Sequence, residues 1–192
     1  MTGRDGIAPL AIMNLGQSIA YPLARFFESF MSIGQVPCEW KSAIVKKGLS
    51  SDCSNYRPVS VRCAIQKIME RIIVVEILNI MSSVKNSMAF CHLLETTNDW
   101  TVSLKNKHMI TAIFDCTKAF DVVSHPKLFH KLSAYGIGGN LLTWIRQLLT
   151  DRTQNTRVGN SLSESVQLGS GVVQGSCLGP LLFLFMLSML HP

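Results

Sequence analysis

Apolar residues recur at helical spacing between Leu10 and Ile33, through Ile12, Leu15, Ile19, Leu23, Phe26, Phe27 and Phe30, and predict a helix there. Pro22 lacks the N–H that a helix interior uses, so the segment is expected to kink or divide at that residue. Gly34 and Pro37 follow as stop signals. Trp40 to Val45 reads as a short strand, Lys46-Lys47-Gly48 opens a polar loop through Asn55, and Tyr56 to Val61 reads as a second extended piece. From Ile65 to Met81 the helical period returns, with Ile68, Met69, Ile72, Ile73 and Ile77 as its apolar stripe.

No single period dominates Ser82 to Lys107, although His92 to Leu104 is compatible with a helix. Met109 to Phe114 is rich in β-branched and aromatic residues and predicts a strand running straight into Asp115. Ser124-His125-Pro126 is a helix-start signal. Leu128, Phe129, Leu132 and Tyr135 then line one face, and Gly136 suits the C-terminal cap. Another helix begins at Gly139-Asn140 and carries Leu141, Leu142, Trp144, Ile145, Leu148 and Leu149. Thr153 to Val158 and Leu162 to Leu168 flank Gly159-Asn160, a two-residue hairpin connection. A glycine-rich loop, Gly169 to Pro180, leads into an apolar helix. Strands and helices mix without regular alternation, which predicts an α+β fold.

Composition narrows the class. At 192 residues, 47% apolar and 16% charged, the chain can bury a sizeable core and is neither disordered nor of low complexity. So apolar a composition fits a lobe of a larger protein. The net charge of +6 favours a polyanionic partner only mildly. Cys38, Cys53, Cys63, Cys91, Cys116 and Cys177 include no Cys-x-x-Cys pair and form no local metal-site pairing with histidine, so a reducing compartment and small apolar roles are expected. His125 and His130 read as a cap and a surface residue rather than a metal pair. The first residues carry an acid and glycines where a secretory leader needs an apolar core. Leu181 to Leu187, even extended to Leu190, falls short of the roughly 18 residues a membrane span needs, so no membrane partner is expected.

Three features can carry chemistry. Asp115 ends an apolar strand, where a carboxylate either reaches solvent or binds a cation such as magnesium, which takes oxygen ligands. Asp121 would lie roughly 20 Å further along an extended chain and is expected to hydrogen-bond in the turn before the next helix. The Gly169–Pro180 loop exposes backbone N–H groups, but its spacing is neither the dinucleotide fingerprint nor a P-loop, and Ser176 lacks a nucleophile's setting. Finally, Lys46, Lys47, Arg57 and Arg62 lie close together around Tyr56, either as a phosphate clamp or as a solvated loop.

In this order the segments resemble the reverse transcriptase domain of non-LTR (LINE-like) retrotransposons. Gly3-Arg4-Asp5-Gly6-Ile7, Val36 to Lys41, Asn55-Tyr56-Arg57-Pro58-Val59-Ser60 and Lys67 to Ile73 are similar to successive landmarks of that family. Asp115 to His125 resembles its Asp-x-x-Lys-Ala-Phe-Asp-x-Val-x-His motif, and Val172 to Phe183 its Gln-Gly loop.

The resemblance implies a right-hand polymerase fold without a thumb, with residues 1–108 as fingers and 109–192 as a palm carrying inserted helices. It implies RNA-directed DNA synthesis on an RNA template and DNA primer with dNTP substrates and two Mg2+ ions. Asp115 then matches a metal-binding catalytic aspartate, and Phe120 the aromatic gate against a ribonucleotide 2′-OH. Arg57 and Lys47 match triphosphate contacts, while Gln174 and Gly175 match the loop beside the nucleotide and template. The family's aromatic-x-Asp-Asp hairpin has no counterpart before Pro192, and Val173 stands where proline is usual. Shorter spacing at Val45–Lys46 and around Asn86 to Leu93 predicts gaps in the fingers. These departures predict a fragment without polymerase activity of its own; a non-catalytic nucleic-acid-binding remnant, or a relic without function, is the competing expectation.

Overall fold

The computed structural model describes residues 7–46, 62–83, 119–158 and 160–187. The predicted strand at Met109–Phe114, the extended piece at Tyr56 to Val61 and most of the 82–107 region lie outside them.

The first helical segment is divided, but not at Pro22. Helix α1 (Pro9–Leu15) ends at Gly16, a 3-10 turn spans Gly16–Ile19, and α2 (Ala20–Ile33) follows. Pro22 sits in the first turn of α2, where its missing N–H has no intrahelical partner to lose. Gly34 closes α2 in the left-handed conformation, φ +68°. Trp40 belongs to a single helical turn, α3 (Cys38–Lys41), rather than to the strand, which is β1 (Ser42–Lys46).

Helix α4 (Ala64–Ser83) buries most of its predicted apolar stripe, but the buried face is turned away from Ile72. Met69, Ile73, Ile77 and Met81 are buried together with Gln66 and Glu70, whereas Ile72 is 54% exposed. Two polar residues therefore occupy core positions.

Helix α5 (His125–Ala134) buries Leu128, Phe129 and Leu132. It ends in a Schellman motif: Gly136 N–H donates to Ser133 O and Ile137 N–H to Leu132 O, both at 3.0 Å. Gly136 takes φ +82°, and Ile137 beyond it is fully buried. Helix α6 (Gly139–Leu149) contributes Trp144, Ile145, Leu148 and Leu149 to the same core. Each such side chain stabilises the fold by about 1.5–3 kcal/mol through burial.

The hairpin forms, but its second strand, expected over Leu162 to Leu168, is divided at residues 163–165. Strand β2 (Arg152–Val158) pairs antiparallel with β3 (Ser161–Leu162), Val158 opposite Ser161, and then with β4 (Val166–Leu168), Arg152 opposite Leu168. On its other side β2 pairs in parallel with β1, from Ser42 opposite Thr153 to Lys46 opposite Arg157. The last helix, α7 (Leu178–Leu187), packs against α5 and α4. The described residues thus form a mixed α+β structure with one small sheet, and none of their helices is long and apolar enough to cross a membrane.

Candidate nucleotide site

Two segments that the sequence marks separately are stitched together here. The turn at residues 119–122 precedes α5, and the glycine-rich loop precedes α7. Val172 N–H donates to Phe120 O at 2.8 Å and Gly171 N–H to Val123 O at 2.9 Å. The Ser170 hydroxyl donates to Asp121 O at 2.9 Å. Gln174 Nε2 donates to the Asp121 carboxylate, Oδ1, at 3.1 Å.

Buried His125 adds a further tie, with Nε2 2.8 Å from Gly171 O. A carbonyl only accepts, so this contact assigns the proton to Nε2. The expectation of a simple cap fails: the ring faces inward, near Phe129 and the loop. Close approach also explains Gly171, whose φ is +93°. A Cβ there would lie 3.0 Å from Asp121 Cα, Asp121 O and Phe120 O.

Behind the loop sits a buried charged group. Arg62 donates through Nη1 to Glu70 Oε2 and through Nη2 to the Gly175 carbonyl. Glu70 also accepts from Gln66 Nε2 at 3.1 Å and from Cys177 N–H at 3.2 Å. Its carboxylate is therefore paired and hydrogen-bonded, as a buried charge must be. This corrects the expectation that Arg62 joins a solvated basic loop or phosphate clamp. Ser176 is buried as well, its hydroxyl oxygen accepting from Gly179 N–H at the start of α7, which is a structural role.

In front of the loop lies a cavity of about 410 Å³, lined by Asp121, Arg152, Gln154, Gln167 and Gln174 and by the loop from Leu168 to Val173. Its walls carry amides, one carboxylate and one guanidinium, a set suited to a polar, flat ligand edge. Arg152 is buried and donates to Trp40 O at 3.2 Å and Leu148 O at 3.1 Å. Burial lowers its guanidinium from the ordinary arginine value to about 10; the charge of Glu70 pulls it back up and that of Arg62 lowers it.

Of the sequence-derived site residues, Phe120, Gln174 and Gly175 are brought together. Gln174 faces the cavity, and Gly175, φ +81°, turns its carbonyl back to Arg62. Half-buried Phe120 stacks on Phe183, ring centroids 4.8 Å apart, and meets the loop through its backbone. Asp115, Arg57 and Lys47 lie outside the described residues. Among the described residues no three His, Cys, Asp or Glu side chains could hold a metal ion, and the Asp121 carboxylate is engaged by Gln174. Sequence reasoning missed Gln66, Glu70 and Arg152; Gln66 and Glu70, four residues apart on the face of Met69 and Ile73, were the available signal.

The model of the reverse transcriptase (RNA-dependent DNA polymerase) family matches residues 44–191. The RNA-directed DNA polymerase from mobile element jockey of Drosophila melanogaster is 31% identical over 178 residues, covering 84% of this chain and 19% of its own length. A retrovirus-related Pol polyprotein from type-1 retrotransposable element R2 of Popillia japonica is 29% identical over 83% of this chain and 24% of its own. The probable RNA-directed DNA polymerase from transposon BS of Drosophila melanogaster is 27% identical over 94% of this chain and 22% of its own. The chain spans about a fifth of the length of these relatives. On the family match and the jockey identity, the chain belongs to the reverse transcriptase family, alongside the RNA-directed DNA polymerases of non-LTR retrotransposons.

Proposed function

We propose that this chain is the fingers-and-palm portion of an RNA-directed DNA polymerase, with residues 1–108 as fingers and 109–192 as palm, and that the cavity beside Gln174 receives the incoming dNTP opposite an RNA template. The observation that carries this reading is the Gln174–Asp121 hydrogen bond, set among the backbone bonds that join the turn to the loop. It fixes an amide at the cavity wall, whose second N–H and oxygen offer a donor and an acceptor to a base or sugar.

In this reading Phe120, held on Phe183, crowds a 2′-OH and so favours deoxynucleotides. Arg57 and Lys47 grip the triphosphate by charge-assisted hydrogen bonds. Asp115 holds magnesium, which when bound would lower the barrier to attack of a primer 3′-OH on the α-phosphate by neutralising developing charge. The protein's own part is positioning: the Asp121–Gln174 pair keeps the loop in place while the nucleotide is aligned.

The test is equilibrium binding of a labelled RNA template–DNA primer hybrid, and then of a dNTP, to the purified chain by fluorescence anisotropy. Hybrid affinity should fall steeply with salt, and dNTP affinity should weaken about tenfold in Gln174→Ala. A chain that binds neither at low salt, or binds dNTP equally well as Gln174→Ala and Arg57→Ala, would overturn the reading.

A further inference from the structure

We propose that Arg62 and Glu70 are positioning residues for the nucleotide, acting through the Gly175 carbonyl to hold Gln174 at the cavity wall. This rests on the reading of the cavity given above.

The pair fixes both ends of one short segment. Arg62 donates to the carbonyl of Gly175, and Glu70 accepts from the N–H of Cys177, residues 113 and 107 positions away in the chain. Between them the backbone reverses, with Gly175 at φ +81°. Gln174 immediately precedes this anchor and reaches Asp121 in the other direction. The backbone just after it is thus tied to Arg62, before α4, and to Glu70 in α4, while its side chain is tied to the turn before α5.

Stability alone is a poor explanation for such a pair. The Arg62 and Glu70 side chains are 3% and 0% exposed, and removing two charges from water offsets much of their attraction. Arg62 Nε is also buried with no hydrogen-bond partner among the described residues. An apolar pair would fill the same space without that penalty, but it would leave the Gly175 carbonyl with nothing to hold it. What the ion pair supplies is a fixed loop geometry.

The experiment compares the parent chain with Arg62→Met combined with Glu70→Gln, which removes both charges of the pair together. Gln174-Gly175 is the sequence's single Gln-Gly dipeptide, so labelling Gln with carbonyl ¹³C and Gly with ¹⁵N isolates the Gly175 amide resonance by NMR. Expected are a shifted Gly175 resonance, dNTP affinity weakened about tenfold, and unchanged affinity for the primer–template hybrid. An unmoved resonance with unchanged dNTP affinity overturns the proposal, and so does an equal loss of both affinities, which marks general weakening. If the double variant loses cooperative melting, Arg62→Lys takes its place with the same readouts, since it keeps the charge beside Glu70 but not the two-pronged donor. A parent chain that binds no dNTP defeats the reading of the cavity; the Gly175 resonance then still decides whether the pair anchors the loop.

Discussion

Gln174 donates to the carboxylate of Asp121 across 3.1 Å, joining residues 53 positions apart in the chain. Asp121 itself lies in the turn before α5, as its place in the sequence suggested, but its partner comes from the loop before α7. The described part of the Asp115–His125 motif, residues 119–125, and the glycine-rich loop are therefore one structural unit. A part-buried bond to an ionised acceptor is worth about 1.5 kcal/mol. A double-mutant cycle of Asp121→Ala and Gln174→Ala in urea unfolding should return a coupling energy of about that size. Strict additivity would detach the two motifs.

Gly171 lies where the loop crosses the turn. Alanine there must adopt φ +93° and bring its methyl within 3.0 Å of Asp121 and Phe120 backbone atoms, which cannot swing aside. Gly171→Ala should cost about 2 kcal/mol or more. Gly169→Ala is the control: its added methyl meets nothing within 4 Å. Its effect should stay within about 0.5 kcal/mol, and equal losses from the two would refute the account.

How much of this could be read beforehand depended on range. Local signals were sufficient for the Gly34 and Gly136 helix ends and for the pairing of Val158 with Ser161, because caps and hairpin turns are decided by neighbouring residues. The parallel pairing of β1 with β2 was not legible, since no local pattern names a partner more than a hundred positions away. Arg62 was assigned to a basic loop, and Glu70 was overlooked, for the same reason. A charge on an apolar stripe looks like a boundary until the residue that neutralises it is known. Ile72 erred in the opposite direction: Gln66 and Glu70 rotate the buried face of α4 and leave that isoleucine exposed. In the candidate site, Phe120, Gln174 and Gly175 were readable as motif positions, but the bond from Gln174 to Asp121 was not.

Arg152 links three elements, since it stands at the start of β2 and donates to carbonyls of Trp40 in α3 and Leu148 in α6. Arg152→Met gives up both bonds but also relieves the burial of a cation, so the net loss should be about 1–2 kcal/mol. Its pH dependence has a definite sign. Folding lowers this guanidinium from its ordinary value to about 10, so the unfolded chain holds the proton more tightly. The stability of the parent relative to Arg152→Met should rise with pH through that window, with the penalty fully present below it. Paired urea titrations from pH 8 to pH 11, about the accessible range for this group, would detect the rise; a fall would contradict the assignment of burial as the main cause.

Trp144 offers the sharpest separation between packing and hydrogen bonding. It is fully buried in α6, and its Nε1–H has no hydrogen-bond partner among the described residues. Trp144→Ala removes a large volume from a close-packed core and should cost about 3–5 kcal/mol. Trp144→Phe keeps an aromatic ring while deleting the buried donor, whose desolvation costs about 1–3 kcal/mol. The lost contacts and the relieved N–H oppose one another, so the phenylalanine variant should lie within about 1 kcal/mol of the parent. Urea unfolding followed by far-UV circular dichroism suits this comparison, because the readout does not depend on the tryptophan being replaced. If Trp144→Phe proves nearly as damaging as Trp144→Ala, the indole N–H must be making a bond that stabilises the core, and volume alone cannot account for the site.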